Sequence, residues 1–247
     1  MQTSAENNLD LPLAGRVVLV AGASRGVGAA TARALAGRGA AVALAARSGD
    51  SLAMVAEECG GPGNALPVTA DLTVEAEARG AVEQAVARFG RLDAVVLSAA
   101  VGLVGGIEHF PLDAWRTTLD ANVTSAFLVI RAAIPHLRAM RGSIISIGSE
   151  FSRAAFPGLG AYVASKWALL GLMQSLAIEL RHDGIKVSSI LPGGILTDFG
   201  PDTVAQKLER QARGEKFLRP EDVADAVRVL LEQPPEVWTQ ELILWAR

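Results

Sequence analysis

Tyr162 is the only tyrosine in this chain of 247 residues, and it stands four positions before Lys166 and 13 after Ser149. On a helix an i, i+4 spacing puts both side chains on one face, one turn apart. A phenol beside an ammonium can exchange a proton with a carbonyl oxygen near neutral pH. Free tyrosine titrates at ~10, so the task of nearby positive charge is to favour the phenolate. Ser149 follows Gly148 at the end of an apolar run. Taken alone, it reads as a turn at the end of a strand. Asn122 interrupts a long helical pattern. Asparagine is an indifferent helix former, so its place there needs a reason; taken alone, it also reads as a tolerated surface residue.

A second constellation lies near the start. Ala21-Gly22-Ala23-Ser24-Arg25-Gly26-Val27-Gly28 joins a first apolar strand pattern to a first helix pattern. Glycines at such a junction permit a tight turn and the close approach of a pyrophosphate, which then sits at the positive end of the helix. An acidic residue at the end of the second strand would hold a ribose 2′-hydroxyl and favour NAD. This chain has Ala45-Ala46-Arg47-Ser48 there instead. Arg47 and Arg25 can both face a 2′-phosphate, as a planar guanidinium suits phosphate, so NADP is expected over NAD. Asp71, past the third strand, can accept from an adenine amino group or serve as an N-cap or turn.

These residues need a frame. Strand patterns are read at Val17–Ala21, Ala41–Ala45, Ala65–Thr69, Ala94–Leu97, Ser143–Ile147, Lys186–Leu191 and Leu242–Trp245. Helix patterns are read at 26–38, 49–59, 73–89, 112–139, 161–182 and 220–232. Alternation of this kind predicts an α/β fold: a doubly wound parallel sheet of about seven strands with helices on both faces. The whole chain reads as one domain, with 1–13 a flexible tail. The stretch 197–217 breaks the rhythm after Pro192-Gly193-Gly194 and reads as a mobile lid, weakly amphipathic and outside the core.

Composition sets bounds on the function. Half the residues are hydrophobic and 20% charged, with a net charge of −3. That describes a globular protein with a large core and gives no basic surface for nucleic acid or anionic membrane. Cys59 is the single cysteine, so no internal disulfide can form and a reducing, cytoplasmic setting fits. Residues Met1–Asp10 carry no apolar stretch, so no signal peptide is expected, and no segment reads as membrane-spanning. The three histidines share no metal-ligand spacing.

Taken in order, these motifs resemble the short-chain dehydrogenase/reductase family in its single-domain form, from Gly15 to about Leu244. The glycine loop matches at Gly22, Gly26 and Gly28. The family's Asn-Ser-Tyr-Lys tetrad matches at Asn122, Ser149, Tyr162 and Lys166. Pro192-Gly193-Gly194-Ile195-Leu196-Thr197 is similar to the motif after strand six whose threonine contacts the nicotinamide amide. The resemblance implies a Rossmann fold and hydride transfer between NADP(H) and a carbonyl or secondary alcohol. In it Tyr162 is the general acid, Ser149 stabilises the oxygen, Lys166 also holds the nicotinamide ribose, and Asn122 anchors a water that relays protons to Lys166. The cofactor set it implies is Gly22, Ser24, Arg25, Gly26, Val27, Gly28, Arg47, Asp71, Leu72, Ser98, Ala99, Tyr162, Lys166, Pro192, Gly193, Ile195 and Thr197.

Two places depart from the family. Its glycine loop begins with threonine and its strand four ends in Asn-Asn-Ala-Gly, whereas this chain has Ala21 and Leu97-Ser98-Ala99-Ala100. In the family these places hydrogen-bond across the sheet; losing both polar partners together can be nearly neutral. The usual Asp-Gly-Gly ending is replaced by Leu244-Trp245-Ala246-Arg247. Substrate choice is assigned to the loops 101–110, 150–160 and 195–217, with Val104, Phe151, Phe156, Ile195 and Phe199 as apolar lining. Glu150 and Arg153 are either readers of a polar group or surface residues. The chain is broadly similar to 3-oxoacyl-thioester reductases. Arg131, Arg138 and Arg141 read as a solvated helix face, or as a contact for an acidic carrier. Trp115 and Trp167 fall on helices that join subunits in the family, so a homodimer or homotetramer is expected. The alternatives are a non-catalytic NADP(H)-sensing protein on the same fold and a sugar-nucleotide isomerase or dehydratase. The intact tetrad argues against the first, the short stretch after Thr197 against the second.

Overall fold

A computed structural model describes residues 11–247. Seven strands, β1 (Val17–Ala21), β2 (Ala41–Ala46), β3 (Ala65–Thr69), β4 (Ala94–Leu97), β5 (Ser143–Ile147), β6 (Lys186–Pro192) and β7 (Glu241–Leu244), form one sheet in the order β3-β2-β1-β4-β5-β6-β7. Every pairing is parallel. The strand order reverses between β1 and β4, and such a switch point opens a crevice at the carboxyl ends of the strands.

The central strands are buried on both faces because they are apolar at consecutive positions, not alternate ones. Val17, Leu19 and Ala21 of β1 join Val95, Leu97 and Ile144 in one core layer, beneath α3 (Glu75–Phe89), α5 (Ser125–Met140) and α6 (Gly160–Glu179). Val18 and Val20 point the other way. They join Val42, Leu44, Val96 and Ile145 beneath α1 (Gly26–Ala36), α2 (Gly49–Glu58) and α8 (Pro220–Glu232). Strand residues alternate in direction, so one run fills two cores.

Several elements differ from the sequence reading. β7 starts one residue earlier than read, at Glu241, and ends at Leu244. The helical pattern 112–139 divides into α4 (Leu112–Leu119), a π turn at Asp120–Thr124 and α5. By length and composition alone the continuous stretch Leu112–Met140 is apolar enough to cross a membrane. It nevertheless carries buried Asn122, and α5 packs on α3 and β4. The stretch 197–217 is not weakly patterned throughout. It contains α7 (Val204–Ala212), opened by a capping box in which the Thr203 hydroxyl accepts from the Gln206 amide and the Gln206 side chain accepts from the Thr203 amide. Residues 1–10 lie outside the described residues. Of the remaining tail positions, Leu13 is fully buried and its amide donates to the Arg38 carbonyl at 3.0 Å, so the packed chain starts by that residue.

Candidate active site

A cleft of about 1130 Å³ runs along the carboxyl ends of the strands. Its first wall is the glycine loop. Gly22 has φ +83°, and a Cβ there would lie 2.5 Å from the Ala99 nitrogen. A Cβ on Gly28 would lie 2.1 Å from the Gly22 carbonyl oxygen. Both positions therefore exclude a side chain, one by conformation and contact, the other by contact alone. The loop opens directly into α1. That helix begins with no side-chain cap and no acidic residue in its first turn. Its first N–H groups and its positive end are left for an anion. Among the seventeen residues expected to hold the cofactor, all but Gly28 line the cleft. Gly28 is buried behind the loop and acts by letting Gly22 pass.

Arg25 and Arg47 are exposed on the rim, and no acidic side chain occupies the end of β2. Asp71 lines the cleft, but one of its carboxylate oxygens is occupied, accepting from the Thr73 amide at 3.0 Å and the Thr73 hydroxyl at 2.7 Å. Those bonds, with a smaller contribution from Arg47, hold its pKa below the usual carboxylate value against the opposing effect of burial. The turn role is thus built, with the second oxygen left for a ligand.

The place where the chain departs from the family it resembles is a contact. Ala21 pairs with Leu97 in register, and the Ser98 amide donates to the Ala21 carbonyl at 2.9 Å. Ala21, Leu97 and Ala99 also line one small void with Ser125, Ala126 and Leu169. The two less polar positions face each other, so neither leaves the other's hydrogen bond unmet.

The second wall carries the reactive side chains. Ser149 ends β5 and caps a 3-10 turn, its hydroxyl accepting from the Phe151 amide at 3.2 Å. Tyr162 and Lys166 lie one turn apart near the start of α6. The Lys166 ammonium stands 5.7 Å from the Tyr162 ring centre and donates to the Ile147 carbonyl at 2.9 Å. All three are buried, at 7% exposure or little more for Ser149 and Tyr162 and 2% for Lys166. Burial pushes the Tyr162 pKa up to about 12, with the Ser149 hydroxyl drawing it down and Glu150 adding to the rise. Burial alone takes Lys166 down to about 8. Low dielectric thus disfavours both charged forms. Burial of Tyr162 outweighs the charge of Lys166, and the phenol keeps its proton.

Asn122 does not line this cleft. It sits behind it, at 1% exposure, in the π turn. Its side-chain oxygen accepts from the Val101 amide at 2.7 Å. Its amide donates to the Val101 carbonyl and the Ser165 hydroxyl, both at 2.9 Å. The side chain is therefore spent on tying the loop after β4 to α6. Ser165, in turn, donates to the Tyr162 carbonyl at 2.7 Å, a positioning link that the sequence reading missed.

Of the substrate loops, Val101, Gly102, Glu150, Phe151, Leu159, Ile195 and Phe199 reach the cleft, whereas Val104 and Phe156 are exposed outside its lining. Arg153 pairs with Glu241, Arg131 with Glu75 and Arg138 with Asp183, so these arginines serve internal pairs. Lys207 of α7 turns inward and donates to the Thr197 and Phe199 carbonyls at 2.7 and 2.9 Å. That staple was not read from the sequence; the Thr203–Gln206 capping-box spacing was the available signal.

Comparison with known proteins agrees with this geometry. Residues 16–208 match the family model described as short chain dehydrogenase, and the chain belongs to that family of oxidoreductases acting on CH–OH groups. It is 39% identical over 198 residues to a 3-alpha-(or 20-beta)-hydroxysteroid dehydrogenase of Mycobacterium tuberculosis, covering 78% of this chain and 75% of that protein. It is 34% identical over 241 residues, 96% of this chain, to the glycine betaine reductase of Emericella nidulans, of whose length it spans only 19%. A metagenomic short-chain oxidoreductase solved in complex with NADP superposes with a TM-score of 0.82 at 32% identity, covering 96% of this chain and 99% of that one. A 3-ketoacyl-(acyl-carrier-protein) reductase from Brucella melitensis complexed with NADH gives 0.84 at 27% identity, covering 94% and 97%.

Proposed function

We propose that this chain is an NADPH-dependent oxidoreductase that interconverts a carbonyl and a secondary alcohol, with Tyr162 as general acid and base. The observation that carries the reading is the convergence of Tyr162, Ser149 and Lys166 in the same cleft as the glycine loop and the open end of α1. The bound nicotinamide supplies or takes the hydride. Gly22, Gly26 and the first turn of α1 would hold its pyrophosphate, Arg25 and Arg47 a 2′-phosphate, and Lys166 the nicotinamide ribose. In reduction, Tyr162 gives its proton to the carbonyl oxygen while the Ser149 hydroxyl donates a hydrogen bond to it. Lys166, held by the Ile147 carbonyl, supplies positive charge beside the phenol as the proton leaves. Asn122 and Ser165 fix the position of α6 without touching the substrate.

The NADP preference is supported by Arg25 and Arg47 on the rim and by the absence of an acid after β2. A 3-oxoacyl thioester is a candidate substrate by family likeness. Exposed Phe127, Trp167 and Ile178 on α5 and α6 support a homodimer or homotetramer, and the single buried cysteine supports the cytoplasm. Stretch 197–217 is read as a lid fastened by Lys207, and the chain as one domain. The experiment is oxidation of NADPH and, in parallel, NADH against a carbonyl panel including a 3-oxoacyl thioester, with wild type and Arg47→Ala. Turnover should favour NADPH, and the preference should fall about tenfold in the variant, the size of one phosphate contact. Equal or faster turnover with NADH refutes the NADP assignment. Tight NADPH binding with no turnover of any carbonyl favours the cofactor-sensing alternative.

A further inference from the structure

We propose that the substrate end of the cleft selects a carbonyl compound bearing an ammonium or quaternary ammonium group, and that Glu150 is the residue that selects it. This rests on the carbonyl-reductase reading and names its substrate class. Glu150 follows Ser149 directly and lines the cleft, half-buried. Its carboxylate makes neither an ion pair nor a side-chain hydrogen bond among the described residues. Of the cations near it in sequence or in the cleft, three are engaged elsewhere. Arg153 pairs with Glu241, which also accepts from Gln174. Lys166 donates to the Ile147 carbonyl, and Lys207 to those of Thr197 and Phe199. Arg25 and Arg47 stand after β1 and β2, whereas Glu150 stands after β5.

A carboxylate partly withdrawn from water and left unpaired favours the arrival of a cation. Burial alone raises the Glu150 pKa, with nothing opposing it. The neighbouring surface is aromatic. Phe151 meets Tyr162 edge-on at 6.3 Å, and Tyr162 meets Phe199 at 5.6 Å; all three rings line the cleft. Aromatic faces attract organic cations, and these rings line the same cleft as Glu150. The pairing also bears on the chemistry. Glu150 contributes to holding the proton on Tyr162, so a substrate cation that neutralises Glu150 lessens the barrier to giving that proton up. Binding of the charged group and readiness of the acid are thereby linked through one carboxylate.

The test uses two pairs of probes that differ only by nitrogen for carbon. Trimethylammonioacetaldehyde and 3,3-dimethylbutanal are compared as substrates with NADPH; choline and 3,3-dimethylbutan-1-ol are compared as ligands by calorimetry on the NADP+-saturated protein. Wild type should prefer the cation in kcat/KM by at least about tenfold, with choline binding tighter by a similar factor. In Glu150→Gln both ratios should fall to about one, and Glu150→Asp should retain part of each. No preference in wild type, or a preference that survives in Glu150→Gln, overturns the inference. Tighter binding of choline that depends on Glu150, with no turnover of any carbonyl, supports the cation site and overturns the reductase reading instead.

Discussion

Lys166→Met should make this protein more stable at neutral pH while disabling it. Lys166 is 2% exposed, and its pKa falls to about 8 from 10.5 because burial disfavours its charge. A base with a depressed folded pKa is bound to its proton more tightly in the unfolded chain. Stability therefore rises with pH through the window from about 8 to about 10.5, and the charge is a cost below it. At 1.36 kcal/mol per pH unit, that cost is about 3 kcal/mol at pH 7, about 2 at pH 9 and about 1 at pH 10. Methionine keeps the apolar stem but leaves the Ile147 carbonyl without its partner, which costs about 1 kcal/mol. The variant should thus exceed wild type by about 2 kcal/mol at pH 7, with the difference reaching zero near pH 10. Cofactor-free urea unfolding at pH 6 to 10 reads this from the midpoints. The raised pKa values of Tyr162 and Cys59 are common to both proteins and cancel. A variant less stable than wild type at pH 7, or a difference that does not change with pH, would refute the reasoning.

Gly28→Ala should weaken NADPH binding at least about a hundredfold in a fluorescence titration, because its Cβ would stand 2.1 Å from the Gly22 oxygen and the loop must shift; binding within threefold would contradict the cradle. Asn122→Ala should lower stability by about 2 to 4 kcal/mol in urea, since three hydrogen bonds are lost, two of them at Val101, which can recover water. A loss under about 1 kcal/mol would contradict the tie between the β4 loop and α6. Lys207→Gln should raise KM about tenfold and speed proteolysis within 197–217, as the two carbonyls it holds are released; an unchanged cleavage rate would refute the staple.

The fold was legible because several of its strands, β1, β2 and β4 among them, are continuous apolar runs and its glycines punctuate the turns. All seven strands, Val17–Ala21 through Glu241–Leu244, lie within a residue of where the pattern puts them. Tyr162 and Lys166 were legible for a different reason, a helix face shared by spacing, whereas Ser149 came from the resemblance to the family. What the sequence hid depends on contacts distant along the chain. The π turn at Asp120–Thr124 accompanies the capture of Asn122 by Val101, 21 residues away, and Ser165, 43 away. No local propensity reports such a tie. The same holds for Lys207, which reads as an exposed helix residue until α7 folds back on Thr197 and Phe199. The depressed pKa of Lys166 was equally hidden. The spacing shows which residue stands beside the phenol, but only burial shows that its charge is costly.

Replacement of Tyr162 by phenylalanine, read as a single turnover of bound NADPH with a reducible carbonyl, tests the central claim most directly. The ring, with its contacts to Phe151 and Phe199, is kept and only the proton donor is removed. The rate should fall by about 1,000-fold or more while NADPH still binds, as expected for loss of a positioned general acid. A rate within about tenfold of wild type would contradict the assignment of Tyr162 as that acid.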